Sequence, residues 1–197
     1  MNEFWNHRYN ENDFAYGVLP NQFLAEQLEK IPSGKILFPC EGEGRNAVYA
    51  ALNGWNVTAF DLSEAGLNKA NMLANQNQVT IDYKIEDAME ITFEPESFDV
   101  IALIYAHFPA NNRAQIHSKM LSWLKPNGII ILEAFNPFQL SNTSGGPKEI
   151  TMLYTEEMME NDFKSLTTKL LKSESIILNE GKYHQGKANV IRYVGTK

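Results

Sequence analysis

Short apolar runs bounded by turn residues alternate with stretches of helical periodicity along most of this chain, and no other feature narrows its fold as much. Residues 35–38, 57–60, 81–85, 100–105 and 129–135 read as strands, each apolar almost throughout. A strand open to water on one face alternates polar and apolar residues. A strand covered on both faces need not, so these runs predict an α/β domain: a parallel sheet with helices on both sides. Between the strands, Phe23, Leu24, Leu28 and Ile31 make one helical stripe, residues 47–52 a second, and Leu67, Ala70, Leu73 and Ala74 a third. Ser63 is placed to cap the third, with Gly66 an imperfect residue in its first turn. In "HSKMLSWLKPNG", Met120, Leu121 and Leu124 keep helical spacing, and the helix is expected to stop at Pro126 and Gly128, just before the strand "IIILEAF".

After Phe135 the texture changes to "NPFQLSNTSGGPKEITML", which predicts a lid loop over 136–153, since long connections inside compact domains are usually functional. A short helix is expected over 155–163. Two β-rich runs, 166–178 and 188–194, joined by "NEGKYHQGK", read as a closing antiparallel hairpin at the sheet edge. The 197 residues suit one domain, 1–197, whose first segment, 1–31, ends in the first helix.

The net charge of -7 repels phosphate backbones and anionic membranes, so no nucleic-acid partner is expected. No apolar run approaches the roughly 20 residues of a membrane helix, and the start "MNEFWNHRYNENDF" lacks the regions of a signal peptide, so a cytoplasmic location is expected. Cys40 is the single cysteine and the four histidines lack zinc-type spacing, so neither an internal disulfide nor a metal is expected.

The turn in "FPCEGEGRNAVYAAL" carries the chemistry. Gly42, Gly44 and Ala47 satisfy G-x-G-x-x-G/A between a strand and a helix, and Asp61 stands where a carboxylate accepts hydrogen bonds from a ribose. A dinucleotide would lay its pyrophosphate on this turn, where Glu41 and Glu43 repel it unless they point away. S-adenosylmethionine has no phosphate and a cationic sulfonium, so an acidic turn suits it better. Glu86-Asp87 after the third strand can meet the amino edge of an adenine.

With "FWNHRY", "FAYG", "EGEGRNAVYAA", "VTAFDLS", "LKPNGIIILEAF", "GGPKE" and "EGKYHQGKANVI", the chain resembles the class I S-adenosylmethionine-dependent methyltransferases, and within them the tellurite-resistance-type branch. The resemblance implies a Rossmann-like, mostly parallel seven-stranded sheet whose last strand is antiparallel, with the cofactor at the carboxyl ends of the first strands. Carried over by position, it implies cofactor contacts from Gly42, Glu43 and Gly44, from Asp61 with Leu62, from Asp87 and Ala88, and from Ile104 and Tyr105. It also implies that Tyr16 and Gly17 cover the cofactor. One departure stands out: where the class usually has an acid two positions before the first glycine, this chain has Cys40, with Glu41 beside it. Whether Glu41 takes over that acid's role is open at this stage, as is whether Arg45 neutralises a glutamate or touches the cofactor.

His107, in "IYAHFP", and His184, in "YHQG", are the candidate catalytic bases, each weighed against a structural role. Gly145, Gly146 and Lys148 on the lid, with Tyr183 and Gln185, are candidate substrate contacts. Cys40 is given no chemistry. His7 and Arg8 are read as anchors of the N-terminal segment, and His117 as a residue on a helix surface. "FNPF" at 136–138 and its neighbour is rejected as an amino-methylating motif, because it follows the fifth strand and lacks the second proline. The expected activity is methyl transfer from S-adenosylmethionine to a small-molecule acceptor. The rivals are a dinucleotide-dependent oxidoreductase, a non-catalytic cofactor-binding protein and a nucleic-acid methyltransferase.

Overall fold

The computed structural model describes residues 2–197. Its elements run α1 (Asn2–Tyr9), α2 (Gln22–Leu28), β1 (Lys35–Pro39), α3 (Arg45–Leu52), β2 (Asn56–Asp61), α4 (Glu64–Gln76), β3 (Asp82–Ile85), β4 (Phe98–Ile104), α5 (Ala110–Trp123), β5 (Leu124–Phe135), α6 (Glu156–Asp162), β6 (Thr167–Glu180) and β7 (His184–Thr196). The seven strands form one sheet in the order β3-β2-β1-β4-β5-β7-β6. The first five are parallel, and β7 runs antiparallel to both β5 and β6. The expected α/β class, the seven strands and the antiparallel closing hairpin are all present.

The continuous apolar strands work as anticipated. Along β1, Ile36 and Phe38 face a core shared with α2, α3 and α4, while Leu37 faces the opposite core against α5 and α6. Both faces are buried, so neighbouring positions are apolar despite their opposite directions. Ser63 caps α4 by accepting from the Gly66 N–H at 3.1 Å.

Three expectations need correction. The first stripe was read to Ile31, but α2 ends at Leu28. The helix read up to Pro126 ends at Trp123, because Leu124 already has ψ 129° and pairs with Phe98. Pro126 disfavours helical backbone at Lys125, so β5 begins with a register irregularity rather than after a helical stop. The hairpin strands extend further than read, leaving only residues 181–183 as the turn, so His184 opens β7 instead of sitting in a loop. The segment 136–153 contains 3-10 turns at Pro137–Ser141 and Ile150–Met152 and is tied to β7. The Gln139 carboxamide oxygen accepts from Asn189 N–H at 2.8 Å, and Ser144 Oγ donates to Lys187 O at 2.6 Å.

Candidate active site

The parallel strands deliver their carboxyl ends to one edge of the sheet, and the residues just beyond them build the site. After β1 the chain turns through Gly42 and into α3 at Gly44, whose φ of 84° is left-handed. A Cβ there would sit 2.6 Å from the Ala70 Cβ on α4, so glycine is required both for the turn and for the approach of α3 to α4. Gly44 has no side chain to cap α3, and Glu41 does so instead: its Oε1 accepts from Asn46 N–H at 2.9 Å and Ala47 N–H at 2.7 Å. Burial pushes this carboxyl up to about 7, with those N–H groups and Arg45 opposing the rise.

Glu43 turns the other way. Its Oε2 accepts from Ala15 N–H at 2.7 Å and its Oε1 pairs with Lys69 Nζ at 2.8 Å, tying the turn to the N-terminal segment and α4. Asp61, at the end of β2 and 7% exposed, accepts from Gly42 N–H through Oδ2 and from Ser63 N–H through Oδ1, both at 3.0 Å. Burial raises its pKa against these bonds. Asp87 Oδ1 accepts from Met89 N–H at 2.7 Å in the turn after β3, and Ala88 is buried beside it. Burial drives the Cys40 thiol up, aided by the nearby Asp61 and Asp87 carboxylates, so it stays protonated and carries no chemistry.

Past β4, Ile104 is buried and Tyr105 holds a left-handed φ of 55°. The Tyr105 hydroxyl donates to Glu133 Oε1 at 2.8 Å, and its ring stacks on Phe135 at 4.7 Å. His107 is fully engaged: Nδ1–H donates to Met152 O at 2.7 Å and Nε2 accepts from Phe135 N–H at 3.1 Å. Burial lowers its pKa to about 4. With both nitrogens bound to backbone, His107 anchors the segment after β5 and has no free lone pair to act as a base.

His184 is different. Nδ1–H donates to Glu180 Oε2 at 3.0 Å, and the ring lies among Tyr16 (4.3 Å between centroids), Tyr105 (4.7 Å) and Phe135 (5.4 Å). Arg45, left open above, also reaches the hairpin: Nη2 pairs with Glu180 at 3.0 Å, and Nη1 donates to Tyr16 O at 3.3 Å.

Among the other expected contacts, Gly145 lies over His184 and Gly146 against Phe135. Lys148 and Gln185 are exposed, with Gln185 Nε2 bonded to Gly181 O, so neither joins His184. Tyr183 faces the N-terminal segment, bonding Glu11 through its hydroxyl under the Arg8 guanidinium at 3.7 Å from its ring. Tyr16 packs on His184 and Gly17 against Gly181 of the hairpin turn, while the glycine turn itself is met by Tyr9, which packs on Gly42, and by Tyr83, whose hydroxyl donates to Gly42 O at 2.6 Å. Arg8 does anchor this segment, donating to the Tyr16 hydroxyl at 3.2 Å. His117, read as a surface residue, is fully buried against Phe163 with Nδ1 on Asp162 at 2.8 Å, while its Nε2 lacks a partner.

Sequence reasoning missed Tyr9, Lys69, Tyr83 and Glu180. Lys69, Tyr83 and Glu180 meet Glu43, Gly42 and Arg45 across 26, 41 and 135 residues, too far for any local pattern to signal, although Glu180 also stands four positions before His184.

Residues 36–128 match the family described as a methyltransferase domain. An uncharacterized methyltransferase, YbaJ, of Bacillus subtilis is 33% identical over 105 residues, covering 52% of this chain and 41% of that protein. A ubiquinone biosynthesis O-methyltransferase of Rickettsia akari is 30% identical over 95 residues, covering 48% of this chain and 38% of its own length. The matches thus span less than half of these relatives. The structure of TehB from Haemophilus influenzae superposes on all of this chain and 66% of that one, with a TM-score of 0.74 at 17% identity. This chain therefore shares the fold of that structure, with the Gly42–Gly44 turn inside the segment matched by the family. No helix of the described residues is long and apolar enough to cross a membrane.

Proposed function

We propose that this chain binds S-adenosylmethionine along the carboxyl ends of β1 to β4 and transfers its methyl group to a small-molecule acceptor. The observation that carries the choice of ligand is the Glu41 carboxylate on the first amides of α3. A dinucleotide pyrophosphate needs those amides, and here the Glu41 side chain already occupies Asn46 and Ala47 N–H.

Gly42 and Gly44 let a ligand approach the backbone. Asp61 keeps a second lone pair on each oxygen for a ribose hydroxyl pair, and Asp87 and Ala88 are assigned the adenine side. Tyr16 and Gly17 cover the ligand. S-adenosylmethionine supplies an electrophilic methyl on a cationic sulfur. The protein's part is to hold donor and acceptor in line and exclude water, and such orientation is worth roughly 7 to 11 kcal/mol of barrier.

A small acceptor is supported by the acidic net charge, -7, which disfavours nucleic acid, and by the O-methyltransferase relative. The test is transfer of labelled methyl to a panel of phenols, hydroquinones and thiols, with and without the protein. Transfer to at least one supports the reading; tight cofactor binding with no transfer to any would leave a cofactor-binding protein instead.

A further inference from the structure

We infer that Glu180 and His184 form a carboxylate–imidazole pair that takes a proton from the methyl acceptor, so that the acceptor is an O–H or S–H acid rather than a preformed anion. This rests on the methyl-transfer reading above and names the acceptor chemistry of the same site.

Of the three buried histidines, His107 spends both nitrogens on backbone, and His117 points its bare Nε2 into the core among Phe108, Tyr154 and Phe163. His184 alone presents Nε2 to the carboxyl edge of the sheet. Its Nδ1–H is given to Glu180 Oε2 at 3.0 Å, which fixes the tautomer and leaves the Nε2 lone pair open. Glu180 cannot swing away, since Arg45 Nη2 holds the same oxygen at 3.0 Å and Asn21 Nδ2 reaches Oε1 at 3.4 Å. Glu180 is thus a positioning residue and His184 the group that meets the substrate.

The Nε2 edge is roofed by Gly145 of the 136–153 segment, while Gly146 lies against Phe135. A Cβ on Gly145, where φ is 111°, would lie 2.9 Å from Nε2 and 2.6 Å from Cδ2, so only a glycine backbone passes over the ring. Tyr16, Tyr105 and Phe135 wall the remaining sides, which suits an aromatic or otherwise apolar acceptor bearing one acidic hydrogen.

The charged groups facing the imidazole are Glu180 on β6, Arg45 on α3 and Arg8 on α1. Burial, with Arg45 and Arg8, lowers its pKa against the pull of Glu180, so the ring is neutral near pH 7. In the step, the acceptor heteroatom gives its proton to Nε2. Its freed electron pair bonds to the methyl carbon while the carbon–sulfur bond breaks, leaving that pair on a neutral thioether sulfur. The imidazolium then returns the proton to water.

Two readouts test this. Nitrogen-15 resonances of the His184 ring in the full-length protein should report the Nδ1–H tautomer at neutral pH, and Glu180→Leu should abolish that preference. An Nε2–H tautomer in the wild type overturns the proposal. Labelled methyl transfer to catechol, phenylmethanethiol and selenite, alongside cofactor titration, reads the chemistry. His184→Gln should bind S-adenosylmethionine within about 3-fold of wild type yet lose about 100-fold or more in kcat/KM on catechol or phenylmethanethiol. Glu180→Leu should move the acid limb of that pH profile to lower pH, because the carboxylate raises the imidazole pKa; a purely structural residue would not move it.

Undiminished turnover by His184→Gln, or methylation of selenite alone, overturns the proposal, as does a wild type that binds cofactor but methylates neither proton-bearing probe. Failure of the wild type to bind S-adenosylmethionine overturns the methyl-transfer reading, and with it the step, whatever the tautomer. If Glu180→Leu does not fold, the wild-type tautomer and the His184→Gln rates still decide.

Discussion

Glu41 is a partly buried carboxylate performing the capping that Gly44 cannot, and its pKa, raised from 4.5 to about 7, records what burial costs. A carboxyl whose folded pKa is raised contributes stability fully below its unfolded pKa and loses it as pH climbs to the folded one. Between about pH 4.5 and 7 this group therefore erodes stability. Glu41→Gln keeps an oxygen for Asn46 and Ala47 N–H and removes the charge, so it should flatten that slope and gain about 1 to 3 kcal/mol near pH 8 in urea unfolding. A variant less stable than wild type at that pH would contradict the account. His107 works in the opposite direction: its pKa falls from 6.5 to about 4, so stability drops as pH falls between those values, by about 3 kcal/mol. His107→Gln should remove most of that acid dependence. Asp61→Ala leaves Gly42 and Ser63 N–H without their acceptor and should weaken S-adenosylmethionine binding by about 10-fold or more. Unchanged affinity would remove Asp61 from the site.

At the scale of elements, the sheet was legible because parallel strands buried on both faces must be apolar at consecutive positions, and β1, β4 and the second half of β5 are. Helix α1 was not, because "NEFWNHRY" has no apolar stripe; it lies against α4, where Ser63 Oγ donates to Asn6 Oδ1 at 2.7 Å, and Tyr9 packs on the glycine turn. Its stability comes from tertiary packing, which local pattern does not encode. The meeting of α3 and α4 gives a sharper test. Gly44→Ala adds a Cβ 2.6 Å from that of Ala70 on a backbone with φ 84°, so it should cost about 1 to 3 kcal/mol and displace the α3 amino end. Urea midpoints and cofactor titration should fall together. A stable variant with intact cofactor affinity would show that the turn tolerates a side chain.

For the whole molecule, the donor and acceptor sides are joined by contacts distant in sequence. Arg45 on α3 holds Glu180 from 135 residues away, Tyr183 N–H donates to Ala15 O at 3.2 Å, and Asn21 Nδ2 donates to the fully buried Glu133 at 2.6 Å. The glycine turn and the acids after β2 and β3 were readable because they lie within a few residues of strand ends. The Glu180–His184 pair was only half readable, as a histidine without its carboxylate. His117 was misread because its partner Asp162 lies 45 positions on. The central claim is that Glu41 reserves the α3 amino end and leaves a site for a sulfonium ligand. Calorimetric titration with S-adenosylmethionine, S-adenosylhomocysteine and NAD in one buffer tests it most directly. Binding of the first two and not the third is predicted; binding of NAD alone would contradict it.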